Sequence, residues 1–216
     1  MNGKIEESTL YLKSCSNLET QVFSLYEALS KKINQPENSF ILGFAYDSLK
    51  CAKTIEAILE YFDKTEIENM SCRKDIAELI NGVEYFRKKI AKVNNVNYEM
   101  TCESLKKLSN LEDRLSSVYT SYLQSSLIRV LSDEFSRLAI DSSNFKKIFE
   151  NFLEQKQKHK ETIIEIIYSF ETKEADRLRN TTPLVRYRNP DTWIRDSTLH
   201  TFPATPAQES PQTWNA

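Results

Sequence analysis

Glycine and proline, the residues that tight turns require, are scarce in this chain. Only three of its 216 residues are glycine, and five of the six prolines lie at or after Pro183. Sheets joined by tight turns need more residues of this kind. No two glycines lie close enough together to form a phosphate-binding loop. The sequence therefore predicts an all-α protein.

The chain also has no strong excess of one charge and no long apolar run. It contains 29 Lys and Arg against 31 Asp and Glu, a net charge of −2. We therefore expect no nucleic-acid partner and no membrane-spanning segment. The N-terminal residues include acids and lack the apolar region of a signal peptide. The four cysteines form no C-x-x-C pair, which favours buried free thiols and a cytoplasmic protein.

Apolar residues recur at helical spacing through most of the chain. The pattern predicts helices at about 9–34, 38–62, 65–93, 101–124 and 132–158, with a further apolar stretch to about 178. We expect the lysine-rich run 156–160 to form a solvated helix face. Beyond Arg179 the chain contains five prolines and no lysine. We therefore predict a helical domain over 1–179 and an extended or disordered tail over 180–216, or a strap docked through Trp193 and Phe202.

Two segments of the chain repeat each other at nearly the same offset. Residues 12–26 and 105–119 are identical at eight of fifteen positions, and residues 45–60 and 139–154 at seven of sixteen. Two matches in the same order indicate a duplicated two-helix hairpin. Two such hairpins, with the helix between them as a crossover, predict a four-helix bundle.

Acidic residues interrupt the apolar stripes of all four repeated helices. They are Glu19, Asp47, Glu112 and Asp141. The two glutamates are each followed by a tyrosine seven residues later, Tyr26 and Tyr119. A buried carboxylate costs several kcal/mol unless it is paired or bound to a metal. Four of them at symmetric positions would need cations, protonation or water.

This pattern resembles the ferritin-like superfamily, and its rubrerythrin branch most closely. In that branch the first helix of each pair carries Glu with Tyr seven residues later, as in Glu19/Tyr26 and Glu112/Tyr119. The second helix carries Glu-x-x-His about 30 residues later, near Asp47 here. The resemblance implies a ferritin-like bundle over about residues 10–158, a di-iron centre and an oxidoreductase activity.

The chain departs from this family at the positions of the metal ligands. The two Glu-x-x-His motifs correspond to Asp47-Ser-Leu-Lys50 and Asp141-Ser-Ser-Asn144. An ammonium cannot bind a metal, and an amide is a weak ligand. The acids could point outward, or form a metal-free polar cluster with Lys50, Asn144 and the two tyrosines.

A third alternative is a divalent metal, iron or manganese, held by the four acids with Asn144; oxygen ligands alone favour magnesium, calcium or manganese. Two functions follow from these alternatives. One is a degenerate rubrerythrin-like protein that lacks a full di-iron site. The other is a non-catalytic helical bundle that binds a protein partner or forms a homodimer.

Overall fold

The protein is all-helical in the computed structural model, which describes residues 2–34, 36–62, 73–93, 98–138 and 144–181. Within these ranges there are six helices: α1 (Asn2–Ser30), α2 (Glu37–Leu59), α3 (Lys74–Ala91), α4 (Tyr98–Gln124), α5 (Leu127–Arg137) and α6 (Phe145–Thr181). The predicted fold class is thereby confirmed at the level of an all-α protein. No helix in the described part of the chain is both long and apolar enough to cross a bilayer.

The first two helices form an antiparallel hairpin. Near one end the Ser16 hydroxyl donates to the Ala52 carbonyl, and near the other the Tyr26 and Phe44 rings pack edge to face. The joint between them contains Pro36, whose ring cannot continue a helix from the preceding turn. This order places the end of α1 beside the start of α2.

Helices α4 and α6 pack antiparallel to each other and close the same core. Lys106 pairs with Glu171, and Asp113 pairs with Lys160. Residue numbers therefore increase along α4 in the direction in which they decrease along α6. Helix α4 also runs antiparallel to α1. The Tyr11 hydroxyl donates to the Val118 carbonyl, whereas the later Tyr26 donates to the earlier Glu112. Buried apolar side chains of all six helices join in one continuous core.

Helix α3 runs parallel to α1 along the outside of this core. Its first turn lies beside the first half of α1, where the Arg73 amide donates to the Ser14 hydroxyl. Its last turn, with Arg87 and Ala91, lies beside Ala28 of α1. The helix therefore carries the chain back along the length of α1 before α4 begins.

The predicted helix over 132–158 is wrong. Helix α5 ends at Arg137, where the Leu138 amide closes the last turn, and α6 begins only at Phe145. Asn144 accepts the first backbone hydrogen bond of α6, and Asn favours turns and helix starts over helix interiors. Helix α6 continues past His159 without a break.

The contact pattern divides the chain into two units, Met1–Arg177 and Leu178–Ala216. Apart from the end of α6, the second unit lies outside the described residues, and so does the predicted tail with Trp193 and Phe202.

A buried carboxylate cluster between four helices

Two glutamate–tyrosine pairs cross between α1 and α4 at the centre of the core. The Tyr119 hydroxyl donates to Glu19 Oε1 at 2.7 Å, and the Tyr26 hydroxyl donates to Glu112 Oε1. All four side chains are buried. The glutamate and tyrosine of each helix are seven residues apart, which is two helical turns, so they lie on the same face. Each helix therefore supplies one carboxylate and one phenol to its neighbour.

Helix α6 adds two basic side chains to this cluster. Lys156 Nζ donates to Glu19 Oε2 at 2.8 Å and to the Ser48 hydroxyl at 3.2 Å. The Lys156 and Glu19 side chains are both fully buried. One turn further, His159 Nδ1 lies 3.2 Å from Glu112 Oε1. One helix thus places an ammonium beside the first carboxylate and an imidazole beside the second.

His159 also connects the buried centre to the surface. Its Nε2 lies 3.0 Å from Asp47 Oδ2, whose side chain is 42% exposed. Asp47 lines a polar surface cleft of about 490 Å³ between α2 and α6. A neutral imidazole has one N–H, whereas an ionised carboxylate only accepts. Both contacts of the ring are hydrogen bonds only when His159 is an imidazolium or when one of the two carboxyls holds a proton.

Burial and charge set the protonation of this cluster. Burial raises the pKa of Tyr26, and the charge of Glu112 raises it further; burial and the charge of Glu19 do the same for Tyr119. Burial lowers the pKa of Lys156, but the attraction of Glu19 and Glu112 outweighs that effect, and the net direction is upward. Both phenols therefore stay neutral and the lysine stays charged at neutral pH.

A buried thiol, that of Cys51, lies beside the cluster on α2. The Cys51 thiol donates to the Gln155 side-chain carbonyl at 3.3 Å. Burial and the neighbouring Glu19 raise the pKa of this thiol. Cys15 and Cys102 are also buried and form no disulfide within the described residues, whereas Cys72 lies outside them.

The structure brings together only some of the predicted site residues. Glu19 and Glu112 pair across the centre with Tyr119 and Tyr26, and Asp47 lies at the outer edge. Lys50 is exposed on the wall of the cleft. The remaining two are Asn144, which is exposed just before α6, and Asp141, which lies outside the described residues.

The position of Asn144 separates it from the cluster along the axis of α6. Lys156 lies eleven residues beyond the first residue of that helix, which is about 16 Å at 1.5 Å per residue. Asn144 therefore lies far from the cluster, although the repeat matches it to Lys50 on the wall of the cleft.

Lys156 and His159 were missed by the sequence reasoning, and the predicted solvated face over 156–160 is wrong at both of them. Lys156 has no exposed surface, and 3% of the His159 side chain is exposed. A signal was present, because both continue the buried apolar series of α6 formed by Phe149, Phe152, Ile163 and Ile166. A lysine on such a stripe is a candidate for a buried ion pair.

The donor set does not fit a metal centre. The described residues contain no group of three or more His, Cys, Asp or Glu side chains positioned to hold a metal ion. The Lys156 ammonium lies at hydrogen-bond distance from Glu19, where a metal ion would have to bind that carboxylate. Glu112 Oε2 is the one carboxylate oxygen of the described residues that is buried without a hydrogen-bond partner.

Comparison with known proteins identifies no relative. No protein-family model, no curated protein sequence and no solved structure matches this chain.

Proposed function

We propose that the chain is a degenerate ferritin-like protein in which the ammonium of Lys156 takes the place of the metal at the centre of a four-helix bundle. Helices α1, α2, α4 and α6 would form the bundle, and α3 would be its crossover. The directions of the helix pairs support this, since α1 and α2 are antiparallel, α4 and α6 are antiparallel, and α4 runs opposite to α1. A long connection between the two hairpins is typical of that bundle class.

The buried Lys156–Glu19 pair is the observation that carries the proposal. A buried carboxylate is tolerated when a cation and hydrogen bonds satisfy it. Glu19 has both, through Lys156 on one oxygen and Tyr119 on the other. The charges of Glu19 and Lys156 thus balance each other at the centre of the bundle without a metal ion.

This arrangement favours binding over redox catalysis. The two phenols keep their protons, the Cys51 thiol keeps its proton, and the ammonium prevents a metal from approaching Glu19. None of these groups supplies an activated nucleophile at neutral pH. We therefore assign the chain a non-catalytic role as a helical binding module rather than the oxidoreductase activity that the family resemblance implies.

Metal analysis of the full chain purified without chelator tests the proposal. We expect the wild-type protein to hold no stoichiometric transition metal. The variant Lys156→Glu should gain Co(II) or Fe(II) binding in calorimetry, because it removes the competing charge and creates a Glu-x-x-His pair with His159, the ligand motif of di-iron bundles.

The matched control is Lys146→Glu, which makes the same change of charge at an exposed position of α6. It should not alter metal binding. A stoichiometric metal that stays bound to the wild-type protein through dialysis would contradict the proposal. So would a folded Lys156→Glu protein that binds metal no better than Lys146→Glu.

A further inference from the structure

An apolar groove lies between α3 and α4, over Leu25 of α1. Its volume is about 280 Å³, close to the lower end of the range of about 300–1,000 Å³ for small-molecule sites. Leu79 and Val83 of α3 and Leu111 of α4 line it together with Leu25. A cavity of this size accommodates a single slender apolar chain rather than a partner helix.

A glycine keeps one wall of this groove open. Gly82 lines it in the middle of α3, and a Cβ atom built on Gly82 has no heavy atom within 4 Å. Glycine in a helix interior is destabilising relative to alanine. A side chain at position 82 would project into open space at the groove.

Three cations lie along the rim of the groove, and one of them, Lys107, is paired with Glu103 outside the groove. Lys89 of α3 and Lys107 and Arg114 of α4 line it, and no Asp or Glu is among its lining residues. Lys107 also lies over the ring of Phe86, 5.5 Å from its centroid. In the described part of the chain, neither Lys89 nor Arg114 lies within ion-pair distance of a carboxylate. An apolar floor with a cationic rim is complementary to a molecule with an alkyl chain and an anionic head.

We propose that this groove binds a fatty carboxylate, with the alkyl chain over Leu25, Val83 and Leu111 and the carboxylate among the rim cations. This proposal rests on the proposed binding role and specifies the class of ligand that is bound. The groove shares no residue with the carboxylate cluster. Failure of the ligand test and failure of the metal test are therefore distinguishable.

Titration calorimetry of the full chain with octanoate, decanoate and dodecanoate, each below its micelle concentration, tests the proposal. We expect one saturable site whose affinity rises about fourfold for each added methylene, the equivalent of about 0.8 kcal/mol. Dodecanol should bind about three- to tenfold more weakly than dodecanoate, because two or three partly exposed ion pairs are lost.

Two matched pairs of variants locate the site. Gly82→Leu fills the groove and should abolish binding. Gly43→Leu places the same side chain in equally open space on α2 and should leave binding unchanged. The double variant Lys89→Gln/Arg114→Gln should weaken dodecanoate binding about three- to tenfold, whereas Lys88→Gln, beside the groove, should not. Circular dichroism confirms that each variant is folded.

Several results would overturn the assignment. They are no saturable binding, an affinity that does not depend on chain length, equal binding of dodecanol, or binding that survives Gly82→Leu. Loss of binding in Gly43→Leu to the same degree as in Gly82→Leu would show a general effect of the substitution and would equally reject the groove.

Discussion

The buried cluster has two halves, one around Glu19 and one around Glu112. Each contains a glutamate that accepts from a tyrosine, but the other partners of the two glutamates differ. Glu19 has a hydrogen bond on each oxygen, one from Tyr119 and one from the Lys156 ammonium. Glu112 Oε1 accepts from the Tyr26 hydroxyl and lies 3.2 Å from His159 Nδ1, and its other oxygen has no partner among the described residues. The difference comes from α6, which presents a permanent cation to one carboxylate and a titratable ring to the other. A repeated motif on two helices therefore does not make the site itself symmetric.

The largest expected effect is on the Glu19 half. Lys156→Met should lower the free energy of unfolding by about 3–5 kcal/mol, because Glu19 is left as an unpaired buried charge. Adding Glu19→Gln should restore most of that loss, since the amide still accepts from Tyr119. Denaturant unfolding measures both. Lys158→Met, at an exposed position of the same helix, should leave stability unchanged, and an equal loss there would reject the comparison.

The two tyrosines provide the most direct comparison of the halves. Tyr26→Phe and Tyr119→Phe each remove a hydrogen bond to a buried carboxylate, worth about 1.5–3 kcal/mol. Tyr26→Phe should cost more, because Glu112 has no ammonium and already has one oxygen without a partner. Equal losses in chemical denaturation would mean that the ammonium of Lys156 does not distinguish the two carboxylates.

Alkaline pH should weaken both halves together. The pKa of Lys156 and those of Tyr26 and Tyr119 are raised in the folded state, so the folded protein holds protons that the unfolded chain loses above about pH 10. The stability that these groups contribute is complete below that pH and is lost as the pH rises. Replacing one of the tyrosines with Phe should flatten the decline by about 1 kcal/mol per pH unit. A decline that is identical in both Tyr→Phe variants and the wild type would contradict this.

The smallest expected effects on stability are at two residues of α2, Ser48 beside Lys156 and Asp47 beside His159. Ser48→Ala removes a buried hydrogen bond from Lys156 and should cost about 1 kcal/mol. Asp47→Asn acts on a half-exposed side chain and should cost less than about 0.5 kcal/mol. Thermal unfolding compares the two. The reverse order would show that the Asp47–His159 contact is a main support of the Glu112 half.

The shared face of each glutamate and its tyrosine was predictable because that signal lies within one helix. Glu19 with Tyr26 and Glu112 with Tyr119 have the same spacing, and the repeat identified both pairs. The contact between Asp47 and His159 was not predictable in this way. The repeat aligned Asp47 with Asp141, but α5 ends at Arg137 and α6 begins only at Phe145. Lysine and histidine in a charged run also looked like surface residues, because the carboxylates that make their burial favourable are distant in sequence.

The sequence by itself determined that the chain is helical, since helical periodicity and the shortage of turn residues act locally. It also showed two glutamates and two tyrosines at equal spacing on the apolar stripes of two helices, and left open whether the acids point inward or outward. Only the tertiary structure decided which cation meets each carboxylate. Lys156 is 137 residues from Glu19 in sequence, and burying either charge is unfavourable until packing brings them together. That pairing depends on how α6 packs against α1, which the pattern within either helix does not specify.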